Sequence, residues 1–195
     1  TFDSGTAGAG AVATVSGLKG GLGSASVKLA NGITVAALVA VNAVGSVTVG
    51  GTPHFWAAPM EIGREFGGLG LPSPMPAEAN DVVPKHHALQ AGANTTIAVI
   101  ATDAKLTKAA AKRLAISAHD GFARAIWPAH SPIDGDLVFS LATGQAERVL
   151  SLDDVIELQA AATVAMARAI ARGVYAATPA EGDIFPTWAM RAGRA

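Results

Sequence analysis

Asn31-Gly32 stands between two apolar runs, SASVKLA before it and ITVAALVAV after it. Both residues of the pair tolerate positive φ, so the dipeptide is a strong short-range signal for a two-stranded hairpin. With AVATV ahead of it, the stretch from 11 to 49 reads as strands joined by tight turns. The chain must therefore open on a sheet, and that sheet must find a core for its apolar side. Residues 33–49, ITVAALVAVNAVGSVTV, are the most apolar run. They are a little short for a membrane helix, carry Asn42 and Gly45, and are rich in β-branched residues, so a buried strand is the better reading.

At 195 residues the chain is long enough for one domain with a sizeable core and too short for two comfortable ones, which gives a single unit over 1–195. Half the residues are hydrophobic and 15% are charged, a balance that excludes disorder. The net charge is −1 and the basic residues are scattered, so no stripe of Lys and Arg could neutralise a nucleic-acid backbone. Cysteine is absent, which removes disulfides, thiolate metal sites and a thiol nucleophile together and fits a reducing cytoplasm. TFDSGTAGAGAVATV has no basic start followed by a continuous apolar core, so it does not read as a signal peptide. The sequence also starts without Met, as though an upstream part were missing.

From Gly50 to Ala93 the sequence is rich in Pro and Gly and without sustained periodicity, a long connection of the kind that is either functional or mobile. After it TTIAVIATD reads as a strand. A helix follows over about 106–126, capped by Thr107, with Ala110, Leu114, Ala118 and Phe122 on its packing face. LVFSLAT (137–143) is a further strand. Ser151-Leu-Asp-Asp154 has capping-box form and opens a second long helix whose face is Val155, Leu158, Ala162, Met166 and Ile170, with Gly173 as its stop. The order of elements predicts an α+β fold in which helices cover a sheet.

Four groups of residues could carry chemistry. The first is AGANTTIAVIAT. A Thr hydroxyl needs an adjacent base, and one solution is the α-amine of the same residue once it becomes a chain terminus. That solution requires a cut between Asn94 and Thr95, by attack of the Thr95 hydroxyl on the Asn94 carbonyl and hydrolysis of the resulting ester. The alternative is that Thr95 and Thr96 simply begin a strand. The second is HSPIDGDLVF, where Asp134 and Asp136 are two residues apart in an extended segment and point the same way. They could hold a hydroxyl or an ammonium, or form a solvated turn or a weak cation site. The third is GLKGGLGSASV, in which Lys19 lies among glycines without P-loop spacing; it is either an anion-binding lysine or a surface one. The fourth is Asn42, an amide in an apolar run, which is either a structural hydrogen-bonder or an oxyanion donor. The histidines form no ligand set: His86 and His87 are adjacent and diverge, His119 reads as helical and His54 and His130 as loop residues, with no HExxH spacing or Cys partner, so no metal is expected. Trp56 and Trp127 could line an apolar pocket.

Taken in order, GLKGGLGSASV, ITVAALVAVNAVGSV, GANTTIAVIATDA, HDGFARAI and HSPIDGDLVFSLATG resemble the L-aminopeptidase/D-amidase and β-peptidyl aminopeptidase family, which includes an endo-acting nylon-oligomer hydrolase. The likeness covers about residues 8–173. It implies a four-layer α-β-β-α sandwich of the N-terminal-nucleophile type, self-cleavage at Asn94-Thr95 into fragments 1–94 and 95–195, no cofactor, and an assembly of several cleaved heterodimers. By the same analogy Thr95 is the nucleophile, Asp134 and Asp136 surround its hydroxyl and amine, Lys19 lies near it, and Asn42 donates to the oxyanion. The Thr points to the nylon-oligomer branch, since the aminopeptidase branch tends to use Ser. The substrates implied are short peptides, amino-acid amides or amide oligomers. Ornithine acetyltransferase shares the broad architecture, which keeps an acyltransferase as the alternative, beside a non-catalytic member of the fold. Family precursors carry a substantial region ahead of GTAGAGA that this sequence lacks.

Overall fold

The computed structural model describes residues 2–83, 85 and 94–194. Two short strands, β1 (Thr14–Val15) and β2 (Leu18–Lys19), pair with each other. They are followed by β3 (Gly21–Lys28) and β4 (Thr34–Val41), which form the hairpin, with Lys28 opposite Thr34 and Gly32 at φ 90°. β5 (Ile97–Thr102), α1 (Lys108–Ala123) and β6 (Leu137–Ala142) make a parallel crossover. α2 (Leu152–Tyr175) and a single turn, α3 (Trp188–Arg191), complete the chain. The four-stranded sheet runs β3-β4-β5-β6, antiparallel except for its last pair.

Alternation along the strands decides which side is covered. Val35, Ala37, Val39, Ala98, Ile100 and Val138 are buried and share one core with Leu114, Ala118 and Phe122 of α1 and Leu158, Ala162, Met166 and Ile170 of α2. The predicted helix faces are buried except at Ala110 and Val155, which are half-buried, and α2 is covered beyond its predicted face, at Ala165 and Ala169 among others. Thr107 caps α1 through Ala110 N–H, and Ser151 and Asp154 form the reciprocal capping box of α2. On the other side of the sheet Leu38, Ile97, Leu137, Phe139 and Leu141 are exposed. The α+β expectation therefore holds, and the described residues supply one sheet and one helix layer of the expected sandwich.

Two expectations need correction. Gly173 does not end α2, which continues to Tyr175. Its absent side chain serves packing instead: a Cβ on Gly23 would lie 1.9 Å from the Ala169 carbonyl oxygen, and one on Gly21 would lie 2.1 Å from that of Gly173. Within GLKGGLG, Gly21 and Gly23 thus serve packing rather than an open loop. They belong to a strand that α2 crosses at backbone distance.

Candidate active site

The last pair of the sheet builds the site. β5 and β6 pair with an offset of 40, Ile97 beside Leu137, and the same offset returns at the isolated pair of Asn94 and Asp134. The register therefore lays Asn94-Thr95-Thr96 alongside Asp134-Gly135-Asp136. Hydrogen bonds continue the ladder: Gly135 N–H donates to the Asn94 carbonyl at 2.9 Å and Leu137 N–H to the Thr96 carbonyl at 3.1 Å.

Thr95 lies at the centre of this pairing. Its hydroxyl donates to the Asn94 carbonyl oxygen at 2.6 Å, so that oxygen receives both the Thr95 hydroxyl and the Gly135 amide. The Thr95 N–H donates to the Asn42 carbonyl at 3.0 Å. Gly135 makes room for the hydroxyl, since a Cβ there would sit 2.6 Å from Thr95 Oγ1. Asn94 is buried, and its amide oxygen and nitrogen find no partner among the described residues.

Both acidic residues face this triplet, by a route the i, i+2 spacing does not reveal. Asp134 Oδ1 accepts Val44 N–H at 3.0 Å, and its Oδ2 accepts the Ser131 amide and hydroxyl at 3.2 and 2.8 Å. Asp136 Oδ1 accepts Thr96 N–H at 3.0 Å, and its Oδ2 meets His130 Nδ1 at 2.9 Å. Among the described residues neither carboxylate takes a hydrogen bond from Thr95. Asp136 holds the amide that follows Thr95, while Asp134 holds Val44 and its own Ser131. Burial pushes Asp136 above the ordinary carboxylate range and the Asp134 charge adds to the push, while Thr96 N–H and His130 oppose it.

Asn42 lies beside Thr95 and Thr96. Its backbone N–H donates to Thr96 Oγ1 at 3.3 Å, and its Oδ1 accepts Thr14 N–H at 3.1 Å and Lys85 Nζ at 2.7 Å. Two donors on Oδ1 fix the amide so that Nδ2 is its donor end. A cleft of about 430 Å³ opens here, with Asn42, Thr95 and Lys85 on its floor and Val12, Ala40 and Ile97 on its walls. It lies where the exposed side of the sheet ends.

Lys19 is buried but turned elsewhere: its ammonium bonds both Asp183 oxygens, at 2.6 and 2.7 Å. It borders a second cleft, which shares Val12, Ala13 and Thr14 with the first. Lys19 is the register partner of Thr14, whose N–H holds Asn42, so its link to the site runs through that strand pair.

Sequence reasoning missed Ser131, His130 and Lys85. Ser131 carries a readable signal, because Ser131-Pro-Ile-Asp134 repeats the S-x-x-D spacing of the α2 capping box and makes the same kind of bonds. Lys85 carries none. Burial pushes its ammonium down to about 8, with the Asp134 carboxylate opposing the shift. His86 and His87 lie outside the described residues. Trp56 and Trp127 line one small cavity of about 120 Å³ with Ser16, Ser46 and Thr48, so its wall is mixed rather than apolar.

With the geometry in place, comparison with known proteins decides the family. The model of peptidase family S58 matches residues 1–184. The chain belongs to peptidase family S58. Curated relatives of this S58 chain include uncharacterised aminopeptidases of Mycobacterium bovis, 42% identical over 93% of the chain and 57% of the relative, and of Mycobacterium leprae, 41% identical over 94% and 51%. The chain spans about half the length of these relatives. Among solved structures it resembles a β-aminopeptidase of a Burkholderia species, with TM-score 0.59 and 26% identity over 92% of the chain and 48% of that protein. It also resembles the L-aminopeptidase D-Ala-esterase/amidase of Ochrobactrum anthropi, described as a variant of the Ntn-hydrolase fold, with TM-score 0.62 and 24% identity over 95% and 48%. The Ntn-hydrolase assignment of the fold stands on this last likeness, and the sheet with its helix layer agrees with it. Among the described residues no helix is long and apolar enough to cross a membrane.

Proposed function

We propose that this chain is the nucleophile-bearing part of an amide hydrolase that cuts itself between Asn94 and Thr95. The observation that carries the reading is the doubly held Asn94 carbonyl. Its oxygen takes the Gly135 amide, a donor suited to developing negative charge, while the hydroxyl that would attack is already 2.6 Å from that oxygen. In the first reaction Thr95 Oγ adds to the Asn94 carbonyl carbon, the C–N bond breaks, and the hydroxyl proton ends on the departing nitrogen. Water then hydrolyses the ester, leaving an Asn94 carboxylate and a free Thr95 amine. An unperturbed α-amine has a pKa of about 7.7–8.0, so it can take the Thr95 hydroxyl proton in the next cycle.

The same contacts serve turnover. The Asn42 carbonyl keeps hold of the nitrogen that becomes the amine, and the Asn42 side chain offers Nδ2 to the oxyanion of the substrate. Asp134 and Asp136 orient the nucleophile through Val44 and Thr96 N–H rather than by touching its oxygen. Lys19 contributes at one remove, through Thr14. The substrate is a short peptide, amino-acid amide or amide oligomer that acylates Thr95 and is released by water, in an assembly of cleaved heterodimers. The family and the names of the relatives support peptidase or amidase chemistry; the Thr in place of Ser favours the nylon-oligomer branch.

Intact-mass measurement with N-terminal sequencing of the full-length protein tests the proposal. The expected result is a fragment that begins TTIAVIATD, and its loss in Thr95→Ala with the fold retained. A chain that stays whole on prolonged incubation sinks it.

A further inference from the structure

Asp136 is a buried carboxylate, its side chain 4% exposed, and it is bonded to an imidazole that is 40% exposed. His130 is also the non-glycine residue with positive φ among the described residues, at 55°. Non-glycine residues seldom adopt that conformation, Asn, Asp and His being enriched among those that do, and surrounding contacts help to hold it. Here α1 supplies such contacts. The His130 ring stacks on Phe122 at 5.3 Å between centroids and meets the His119 ring at 5.0 Å. Those contacts aim Nδ1 at Asp136 Oδ2, while Asp136 Oδ1 holds the amide next to the proposed nucleophile.

We propose that His130 is a positioning residue: by donating from Nδ1 it keeps Asp136 ionised and turned onto Thr96 N–H, and so fixes the peptide that follows Thr95. The consequence for reaction rests on the reading of Thr95 as nucleophile; the pairing of His130 with Asp136 does not.

The charges around the pair all bear on it. Asp134 lies two residues before Asp136 and repels it, and Lys85 faces Asp134 from the cleft. From α1, His119 and Asp120 approach the His130 side. Burial pushes His119 down, the His130 charge adds to that, and Asp136 and Asp120 oppose it. Asp136 itself is raised, so its ionised form, which accepts the Thr96 amide best, is present only above that raised value. Taking His130 away removes one of the two groups that pull it down, and the midpoint moves further up. The acid limb of any reaction at Thr95 then moves to higher pH with it.

Two substitutions separate charge from shape. His130→Asn keeps a donor near the Nδ1 position and tolerates the positive φ, but cannot be protonated. His130→Gly relieves the backbone and removes the donor. The first measurement follows the Asp136 carboxyl carbon by NMR against pH in the full-length protein carrying Thr95→Ala, which needs no activity. The midpoint is expected to rise by about half a unit in His130→Asn and about one unit in His130→Gly. An unchanged midpoint in His130→Gly overturns the proposal. The second measurement follows the rate of self-cleavage against pH with Thr95 intact. The acid limb should move by the same amounts in the same order, and the rate at high pH should recover toward that of the unsubstituted chain. An equal loss of rate at every pH makes His130 merely structural and also overturns it. If the unsubstituted chain never cleaves, the nucleophile reading fails on its own, and the carboxyl titration still decides the role of His130.

Discussion

Two places in this molecule depend on a missing Cβ, and they depend on it for different reasons. At the crossing of β3 and α2, a side chain on Gly23 would meet the Ala169 carbonyl oxygen at 1.9 Å. At the end of the sheet, a side chain on Gly135 would meet Thr95 Oγ1 at 2.6 Å. The first obstacle is backbone inside a long helix and cannot rotate away. The second is the tip of a side chain that can turn about χ1. Steric need is thus a property of the fold in one place and of the proposed chemistry in the other.

The largest effect is expected at the crossing. Gly23→Ala must push α2 off the sheet along a face that includes Ala162, Met166 and Ile170, all of them buried. Overpacking of this kind costs about 3 kcal/mol at the upper end of the usual range, and for a chain of this size the thermal midpoint falls by about 2–4 °C per kcal/mol. Thermal unfolding followed by circular dichroism reads it directly. A midpoint within a degree of the unsubstituted protein would show that the helix can slide, and the distinction drawn between the two glycines would collapse.

Gly135→Ala is expected to do the converse. The Thr95 hydroxyl rotates off the Asn94 carbonyl, the fold is kept, and self-cleavage slows by roughly 10²-fold, comparable to losing one oxyanion donor. A gel time course beside the same thermal melt separates rate from stability. If the melt falls as far as in Gly23→Ala, Gly135 is another packing glycine and the tight contact with Thr95 carries no chemistry.

The two glycines also show what could be read from the sequence. Periodicity was enough for the hairpin at Asn31-Gly32, the helix faces and the capping box at Ser151, because each depends on residues a few positions apart. Asn94, Thr95, Asn42, Asp134 and Asp136 were legible as a group only through a family resemblance, since the offset of 40 that brings the triplets together is a property of β-pairing between distant segments. Gly173 was misread as a helix stop because a glycine near a helix end has two physical uses, and only the neighbour across the interface, here Gly23, separates them. Lys19 was placed by analogy beside the nucleophile, yet its ammonium is neutralised by Asp183, a residue 164 positions away that no local pattern connects to it. His130 was passed over because a lone loop histidine carries no signal until Asp136 and Phe122 are seen on either side of it.

The smallest expected effect tests the opposite kind of place, where several hydrogen bonds rather than one steric gap hold the structure. At the start of α2, Asp154 accepts from Ser151 N and Oγ at 2.9 and 2.8 Å, from Arg148 Nη2 at 3.1 Å and from Asn31 Nδ2 at 2.6 Å, which ties the hairpin turn to the helix. Asn31 is the largest of the influences that hold the Asp154 carboxyl well below the usual range, and the Ser151 amide and hydroxyl follow. Because the folded value is depressed, the stability these bonds lend is present above the ordinary Asp value of about 3.9 and is lost as pH falls toward the depressed one. Ser151→Ala removes the cap on Asp154 N–H and one donor to its carboxylate while Asn31 and Arg148 remain, so it should cost about 1 kcal/mol near neutral pH. The loss should shrink only as pH falls well below about 4 toward the depressed folded value, where the folded carboxylate protonates and the unsubstituted chain loses the same bonds. Melts at pH 7 and down an acid series to about pH 2 check both the size and the sign; a cost that grows on acidification would mean that Ser151 acts on the helix without Asp154.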